Sequence, residues 1–112
     1  MSGISSHVLD TSLGKPAAAV SVSLALLQGD TFVELGRGVT DADGRIKHLL
    51  GEHALTAGLY RLRFEIGAHY RASGRPTFYE QVEIQFHVSD PSQHYHVPLL
   101  SSPFGYSTYR GS

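Results

Sequence analysis

Apolar and polar residues alternate along most of this 112-residue chain. Alternation with a period of two is the pattern of a β-strand that buries one face. It is clearest in residues 59–66 and 80–88, clean in residues 20–26, and weaker in residues 4–10 and 31–40. Because no comparably long segment has the period of an amphipathic helix, the pattern predicts an all-β protein.

The C-terminal segment, residues 94–112, is also rich in residues that form strands, although chain ends are usually frayed and polar. Its pattern predicts one strand over residues 94–100 and another over residues 104–110, separated by a break at residues 101–103. A chain end of this composition is expected to pack against the rest of the fold.

Turn-forming residues separate the predicted strands. Residues 41–45 predict a tight turn in which Gly44 takes a positive φ, and residues 67–74 allow one or two helical turns. Residues 46–57 predict no definite element. Short strands at this spacing predict a β-sandwich of about seven or eight strands. We expect a single domain over residues 1–112, because no linker or repeat interrupts the chain.

The composition excludes several classes of function. The net charge is −1, so no basic surface favours a nucleic acid or an anionic membrane as partner. No apolar run approaches the length of a membrane span. Cysteine is absent, which excludes disulfides and thiolate chemistry. Residues 1–20 show no pattern of a signal peptide, and the expected location is therefore the cytoplasm.

Histidine is enriched, with seven residues in the chain, and it is the side chain best suited to proton transfer at neutral pH. His7 lies on the polar side of the first predicted strand, and His96 lies in an otherwise apolar strand. Arg45 follows the glycine turn. If the fold brings these three residues together, they supply a general base, a second proton-transfer group and a fixed cation.

Two patterns resemble metal sites. His94 and His96 share one strand face at a spacing compatible with zinc, with His7 or His87 as a third ligand, but no zinc motif accompanies them. The simpler interpretation, which we prefer for His94, is that both are half-exposed strand residues and that one of them hydrogen-bonds a carbonyl. The turn at residues 41–45 resembles a calcium loop, but Arg45 replaces an oxygen ligand and the required glycine is absent at the sixth position.

Three segments carry a resemblance to a known family. Residues 6–17, the turn at residues 40–45 and the whole of residues 94–112 resemble the transthyretin-like 5-hydroxyisourate hydrolases. The terminal Tyr-Arg-Gly-Ser at residues 109–112 is the most specific of these features, because it resembles the signature that separates the hydrolases from transthyretin, the hormone carrier of the same fold.

The resemblance implies an all-β, transthyretin-like β-sandwich of two four-stranded sheets with one short helix. It also implies a homotetramer, built as a dimer of dimers, with active sites in the channel between dimers. The implied reaction belongs to urate degradation. It hydrolyses 5-hydroxyisourate to 2-oxo-4-hydroxy-4-carboxy-5-ureidoimidazoline and requires no cofactor and no metal.

The same resemblance assigns candidate site residues by their matching positions in this sequence. The catalytic residues are expected to be His7, Arg45 and His96. The residues expected to bind substrate are His7, Arg45, Thr108, Tyr109 and Ser112. Two other functions stay open: a carrier that binds an aromatic ligand without turnover, and a metal-dependent hydrolase.

Overall fold

The computed structural model describes residues 3–112, so Met1 and Ser2, the first residues of the predicted domain, lie outside the described residues. The described part of the chain is mostly strand, with one short helix, α1 (Ile66–Ala72). The strands are β1 (Gly3–Asp10), β2 (Lys15–Pro16), β3 (Ser21–Gln28), β4 (Thr31–Val39), β5 (Arg45–Ile46), β6 (Gly58–Phe64), β7 (Val82–Val88), β8 (His94–His96), β9 (Leu99–Ser102) and β10 (Gly105–Thr108). No helix among residues 3–112 is both long and apolar enough to cross a membrane.

The strands form two sheets. One sheet has the antiparallel order β4-β3-β6-β7. The other sheet is built around β1. On one side, β1 pairs in parallel first with β8 and then with β9, and β10 pairs with the outer side of β9. On its other side, β1 pairs antiparallel first with β5 and then with β2. Its six strands therefore occupy four positions across the sheet. The predicted sandwich of two four-stranded sheets with one short helix is confirmed.

The C-terminal strands divide at one more place than predicted. The predicted break at residues 101–103 begins later, because β9 continues through Ser102 and a turn at residues 103–104 separates it from β10. A second interruption, around Pro98, separates β8 from β9 because proline has no N–H to give to the sheet. Serine remains in β9 because its hydroxyls are paired: the Ser101 hydroxyl hydrogen-bonds that of Tyr70 (2.7 Å), and Ser102 donates to the Gly105 carbonyl.

The inward faces of the two sheets form the core. Tyr60, Phe64 and Tyr70 are its largest fully buried side chains, and Tyr70 reaches the core from α1. The odd-numbered side chains of β1 lie on the opposite face of that sheet, as the alternation in residues 4–10 predicted. This face carries Ser5 and His7 and is the starting point of the candidate site.

Candidate functional site

A cavity of about 190 Å³, which we call the His96 cavity, opens beside β1, β5 and β8. Its lining includes two imidazoles and two cationic side chains but no carboxylate side chain. The lining residues are Ser5, Ser6, Arg45, Lys47, His94, His96 and Ser112. Three of the residues predicted from the sequence, Arg45, His96 and Ser112, therefore meet in one place.

A rigid turn places Arg45. Gly44 has φ of 75°, and a Cβ at this position would lie 2.4 Å from the Val8 carbonyl oxygen, so both backbone conformation and space require glycine. The Asp41 carboxylate accepts hydrogen bonds from the Arg45 and Asp43 N–H groups. The turn thereby delivers Arg45 to β5 with a defined backbone position beside β1.

His7 lies next to Arg45, because these two residues are register partners between β1 and β5. The His7 ring places Nε2 2.8 Å from the Asp43 carbonyl oxygen. A carbonyl oxygen only accepts hydrogen bonds, so Nε2 carries a proton and Nδ1 is the nitrogen that can exchange one. His7 does not line the His96 cavity itself but stands directly beside it.

His96 is half-buried and its Nδ1 lies 2.8 Å from the Ser5 hydroxyl oxygen. Burial lowers the pKa of His96 below its usual range, and the positive charges of Arg45 and, when protonated, His7 and His94 lower it further. His96 is therefore neutral at physiological pH. Its Nε2 has no hydrogen-bond partner among residues 3–112, which leaves this nitrogen available for a reacting group.

The end of the chain packs against β8, as the composition of residues 94–112 predicted. The Gly111 N–H donates to the His96 carbonyl (2.8 Å), and the two residues form an antiparallel bridge. A Cβ on Gly111 would lie 2.6 Å from His96 Cδ2, so only glycine lets the tail approach the imidazole this closely. The tail then brings Ser112 into the His96 cavity.

Thr108 and Tyr109 lie elsewhere in the single chain. The Thr108 hydroxyl donates to the Pro98 carbonyl (2.7 Å). Both residues line a different cavity, of about 230 Å³, between β7 and the C-terminal strands, and Tyr109 is 59% exposed. The structure of one chain thus brings Ser112 to His96 and Arg45, but not Thr108 or Tyr109.

Ser5 and Lys47 line the cavity but were not predicted from the sequence. His94 is an exposed strand residue, and its Nε2 hydrogen-bonds the Ser5 hydroxyl (2.8 Å). Ser5 alternates with His7 on β1, so their shared face was visible in the sequence. The parallel pairing of Ser5 with His96 was not, because it joins residues far apart in the chain. Among residues 3–112, no three metal-ligating side chains form a candidate metal site.

Comparisons with known proteins agree with this geometry. Residues 4–111 match the model of the HIUase/Transthyretin family. A protein of Caulobacter vibrioides named 5-hydroxyisourate hydrolase is 51% identical, with all of both chains covered. The structure of Klebsiella pneumoniae 5-hydroxyisourate hydrolase has a TM-score of 0.86 and 41% identity, again with both chains fully covered.

A second solved structure has the same fold with a ligand bound. Sea bream transthyretin, solved in complex with thyroxine, has a TM-score of 0.90 at 33% identity, with 96% of this chain and 93% of that chain covered. The sandwich and its cationic, histidine-bearing cavity define a transthyretin-like protein. The chain belongs to the HIUase/Transthyretin family, and the resemblance seen in the sequence is confirmed.

Proposed function

We propose that this protein is a 5-hydroxyisourate hydrolase that opens the six-membered ring of its substrate to form 2-oxo-4-hydroxy-4-carboxy-5-ureidoimidazoline. The observation that carries the proposal is the half-buried His96 imidazole, whose Nε2 has no hydrogen-bond partner among residues 3–112, in one cavity with the Arg45 guanidinium. Its relatives named 5-hydroxyisourate hydrolase support the same activity. The proposed working unit is a single domain spanning residues 1–112.

Hydrolysis of a cyclic amide requires a base for water, stabilisation of the oxyanion and a proton for the leaving nitrogen. An imidazole must be unprotonated to accept the proton of water, and the lowered pKa of His96 favours that form. Arg45 carries a permanent positive charge, and we assign it to the substrate oxygens and the developing oxyanion. His7, with Nδ1 available, is the second proton-transfer group. No metal or cofactor takes part in this scheme.

Substrate binding is assigned to His7, Arg45, Thr108, Tyr109 and Ser112. Since Thr108 and Tyr109 do not line the His96 cavity of their own chain, they can serve it only from a neighbouring subunit. A homotetramer, arranged as a dimer of dimers with the sites in the channel between dimers, supplies that neighbour. Sedimentation of the active protein should give a tetramer, and an active monomer would contradict the shared channel.

The direct test measures decay of freshly prepared 5-hydroxyisourate by absorbance, with and without protein. His96→Asn and Arg45→Ala should each reduce turnover at least about tenfold, because they remove a proton-transfer group and an oxyanion-stabilising charge. Arg71→Ala is the matched control, since Arg71 is an exposed residue of α1 whose guanidinium pairs with the exposed Glu80. Wild-type rates in both site variants would refute the mechanism.

A carrier is the second candidate, favoured by the structural similarity to transthyretin in complex with thyroxine. Deletion of Gly111 and Ser112 distinguishes the two functions. A hydrolase should lose activity without the residues that pack on His96 and line its cavity, whereas a carrier should still bind its aromatic ligand. Tight binding of thyroxine without any acceleration of ring opening would favour the carrier.

A further inference from the structure

One hydroxyl connects the two histidines of β8. The Ser5 Oγ lies 2.8 Å from His96 Nδ1 and 2.8 Å from His94 Nε2. Ser5 is 9% exposed, whereas His94 is exposed to solvent, so the three groups lead from the half-buried imidazole to the surface. Among residues 3–112, Ser5 is also the one side chain that hydrogen-bonds the His96 ring.

The chemistry of a hydroxyl couples the protons of the two rings. Ser5 has one proton to donate, so it donates to one imidazole nitrogen and accepts from the other. When Ser5 donates to His94, His96 carries its proton on Nδ1 and presents the lone pair of Nε2 to the cavity. When His94 Nε2 carries a proton, Ser5 donates to His96 Nδ1, and His96 presents an N–H instead. The proton of His94 therefore decides which form His96 takes.

We propose that Ser5 and His94 form a proton relay that carries the proton accepted by His96 out to solvent and sets the tautomer of His96. The proposal rests on the hydrolase function above and assigns His96 as the group that takes the proton of water. Ser5 and His94 are positioning and relay residues, because they act on the reaction through His96.

The proton movements balance. The O–H bond of the attacking water breaks and its proton binds His96 Nε2, while the water oxygen bonds the carbonyl carbon. The Nδ1 proton of His96 passes to Ser5 Oγ, and the hydroxyl proton of Ser5 passes to His94 Nε2. His94 then releases a proton from Nδ1 to solvent. Once the product has left, His96 Nε2 gives its proton to water in the open cavity while His94 takes one from solvent on Nδ1, and the Nε2 proton of His94 returns through Ser5 to His96 Nδ1, which restores the starting tautomers. His7 protonates the leaving nitrogen and is reprotonated from solvent. The product acid ionises, so the overall reaction releases one proton.

The surroundings of His96 favour outward movement of this proton. Arg45 and Lys47 line the cavity from β5 and the residues after it, His7 faces it from β1, and His94 lies beside it on β8. The tail contributes the Ser112 hydroxyl. No side chain in the cavity lining is a carboxylate, and His94 is exposed whereas His96 is half-buried, so His94 is the more favourable of the two imidazoles from which to release the proton to solvent.

The test compares Ser5→Ala, Ser5→Thr and His94→Gln with wild type. Ser5→Ala removes the relay hydroxyl, Ser5→Thr retains it, and His94→Gln removes the outer proton acceptor. The matched controls are Ser102→Ala, which removes a hydroxyl that donates to a main-chain carbonyl and not to a histidine, and His53→Gln, an exposed histidine outside the lining of the His96 cavity. Steady-state turnover is measured at low and high concentrations of imidazole buffer, and the imidazole ¹⁵N shifts are recorded without substrate.

Ser5→Ala and His94→Gln should each lower kcat by about tenfold at low buffer, the small end of a proton-transfer effect, with little change in KM. Imidazole buffer should restore kcat in His94→Gln, because it accepts the proton in place of His94, and should not affect wild type. Ser5→Thr should retain kcat. The ¹⁵N shifts of His96 should change in Ser5→Ala and stay near wild type in Ser5→Thr.

The relay is wrong if His94→Gln matches His53→Gln at low buffer, or if buffer fails to restore its kcat. Unchanged His96 ¹⁵N shifts in Ser5→Ala would also contradict it. Failure of the proposed function looks different: wild type itself would not accelerate ring opening, or His96→Asn would retain full activity. An active wild type, an inactive His96→Asn and a fully active Ser5→Ala would refute the relay alone.

Discussion

Two clusters of polar side chains, each containing histidine, differ in their charge and in their exposure to solvent. In the first, the carboxylate of Asp10, only 1% exposed, accepts hydrogen bonds from His69 Nε2 (2.9 Å) and Arg75 (2.8 Å), and its other oxygen accepts one from Ser12 (2.6 Å). In the His96 cavity, two imidazoles and the Arg45 guanidinium gather with no carboxylate side chain in the lining. In the first cluster a buried carboxylate pairs with a guanidinium, whereas the side chains of the second include cations without a carboxylate side chain and line an open cavity.

The pKa is lowered in both clusters, but the consequence differs: Asp10 stays charged and fully paired, whereas His96 is kept unprotonated. Burial alone would raise the pKa of Asp10, but the hydrogen bonds from Arg75, Ser12 and His69 outweigh it and hold the pKa well below its usual range. The Asp10 carboxylate thus stays charged and joins β1 to α1 and the residues after it. His96 is kept neutral with one ring nitrogen free. A shifted pKa indicates reactivity only where a nitrogen or oxygen remains without a partner.

The largest expected effect falls on the Asp10 cluster. Asp10→Asn should lower the free energy of unfolding by about 3–5 kcal/mol, because it leaves the Arg75 guanidinium without its buried counter-charge and removes the carboxylate that His69 hydrogen-bonds. Chemical denaturation measures the change. Glu34→Gln, which breaks the exposed pair with Arg37, is the control and should change stability little.

The same cluster has a defined pH dependence. The pKa of Asp10 is lower in the folded state, so its contribution should be complete above about pH 4, the range of an unfolded aspartate, and should decline as the pH falls further. The difference between wild type and Asp10→Asn should therefore shrink in acid. A difference that stays constant down to strongly acid pH would contradict this assignment of the carboxylate.

The next effect tests the packing of the tail on His96. Gly111→Ala should reduce kcat/KM by about tenfold or more, because its Cβ would displace the His96 ring, and small misplacement of a catalytic group is costly. Gly105→Ala is the matched control, since a Cβ there meets only the Ser102 hydroxyl at an ordinary 3.8 Å. Equal activity of both variants would show that the tail does not position His96.

A smaller effect concerns the charge of Arg45. Burial and then Arg45 lower the pKa of His96, so Arg45→Gln should raise it, because a nearby positive charge no longer disfavours the imidazolium. The acid limb of the kcat/KM profile should move to higher pH, while Arg45→Lys should keep it near the wild-type position. A shift of the acid limb to lower pH, or no shift, would show that this limb does not report the ionisation of His96.

The smallest expected effect is that of metal removal. Treatment with EDTA followed by buffer exchange should leave turnover unchanged, because the proposed chemistry uses imidazole and guanidinium groups alone. The measurement is repeated with zinc added back. Loss of activity with EDTA and recovery with zinc would support the metal-dependent hydrolase that the spacing of His94 and His96 allows.

Local patterns predicted much of the fold. Alternation over residues 59–66 and 80–88 predicted strands that the structure has as β6 and β7, at slightly different bounds. It also predicted the face of β1 that carries His7. These features depend on the period of two along a single strand, which neighbouring residues determine. The short β2 and β5 were not predicted, because each exists only through pairing with β1.

The sequence by itself determined which side chains are present, the glycine turn before Arg45, the family signature at residues 109–112 and the common face of Ser5 and His7. The tertiary structure decided what these groups meet. It brought Arg45 beside His7, placed Ser5 between His94 and His96, and enclosed Asp10 with Arg75. Such contacts join residues far apart in the chain, so they arise from strand pairing and packing across the whole molecule, which no local pattern records.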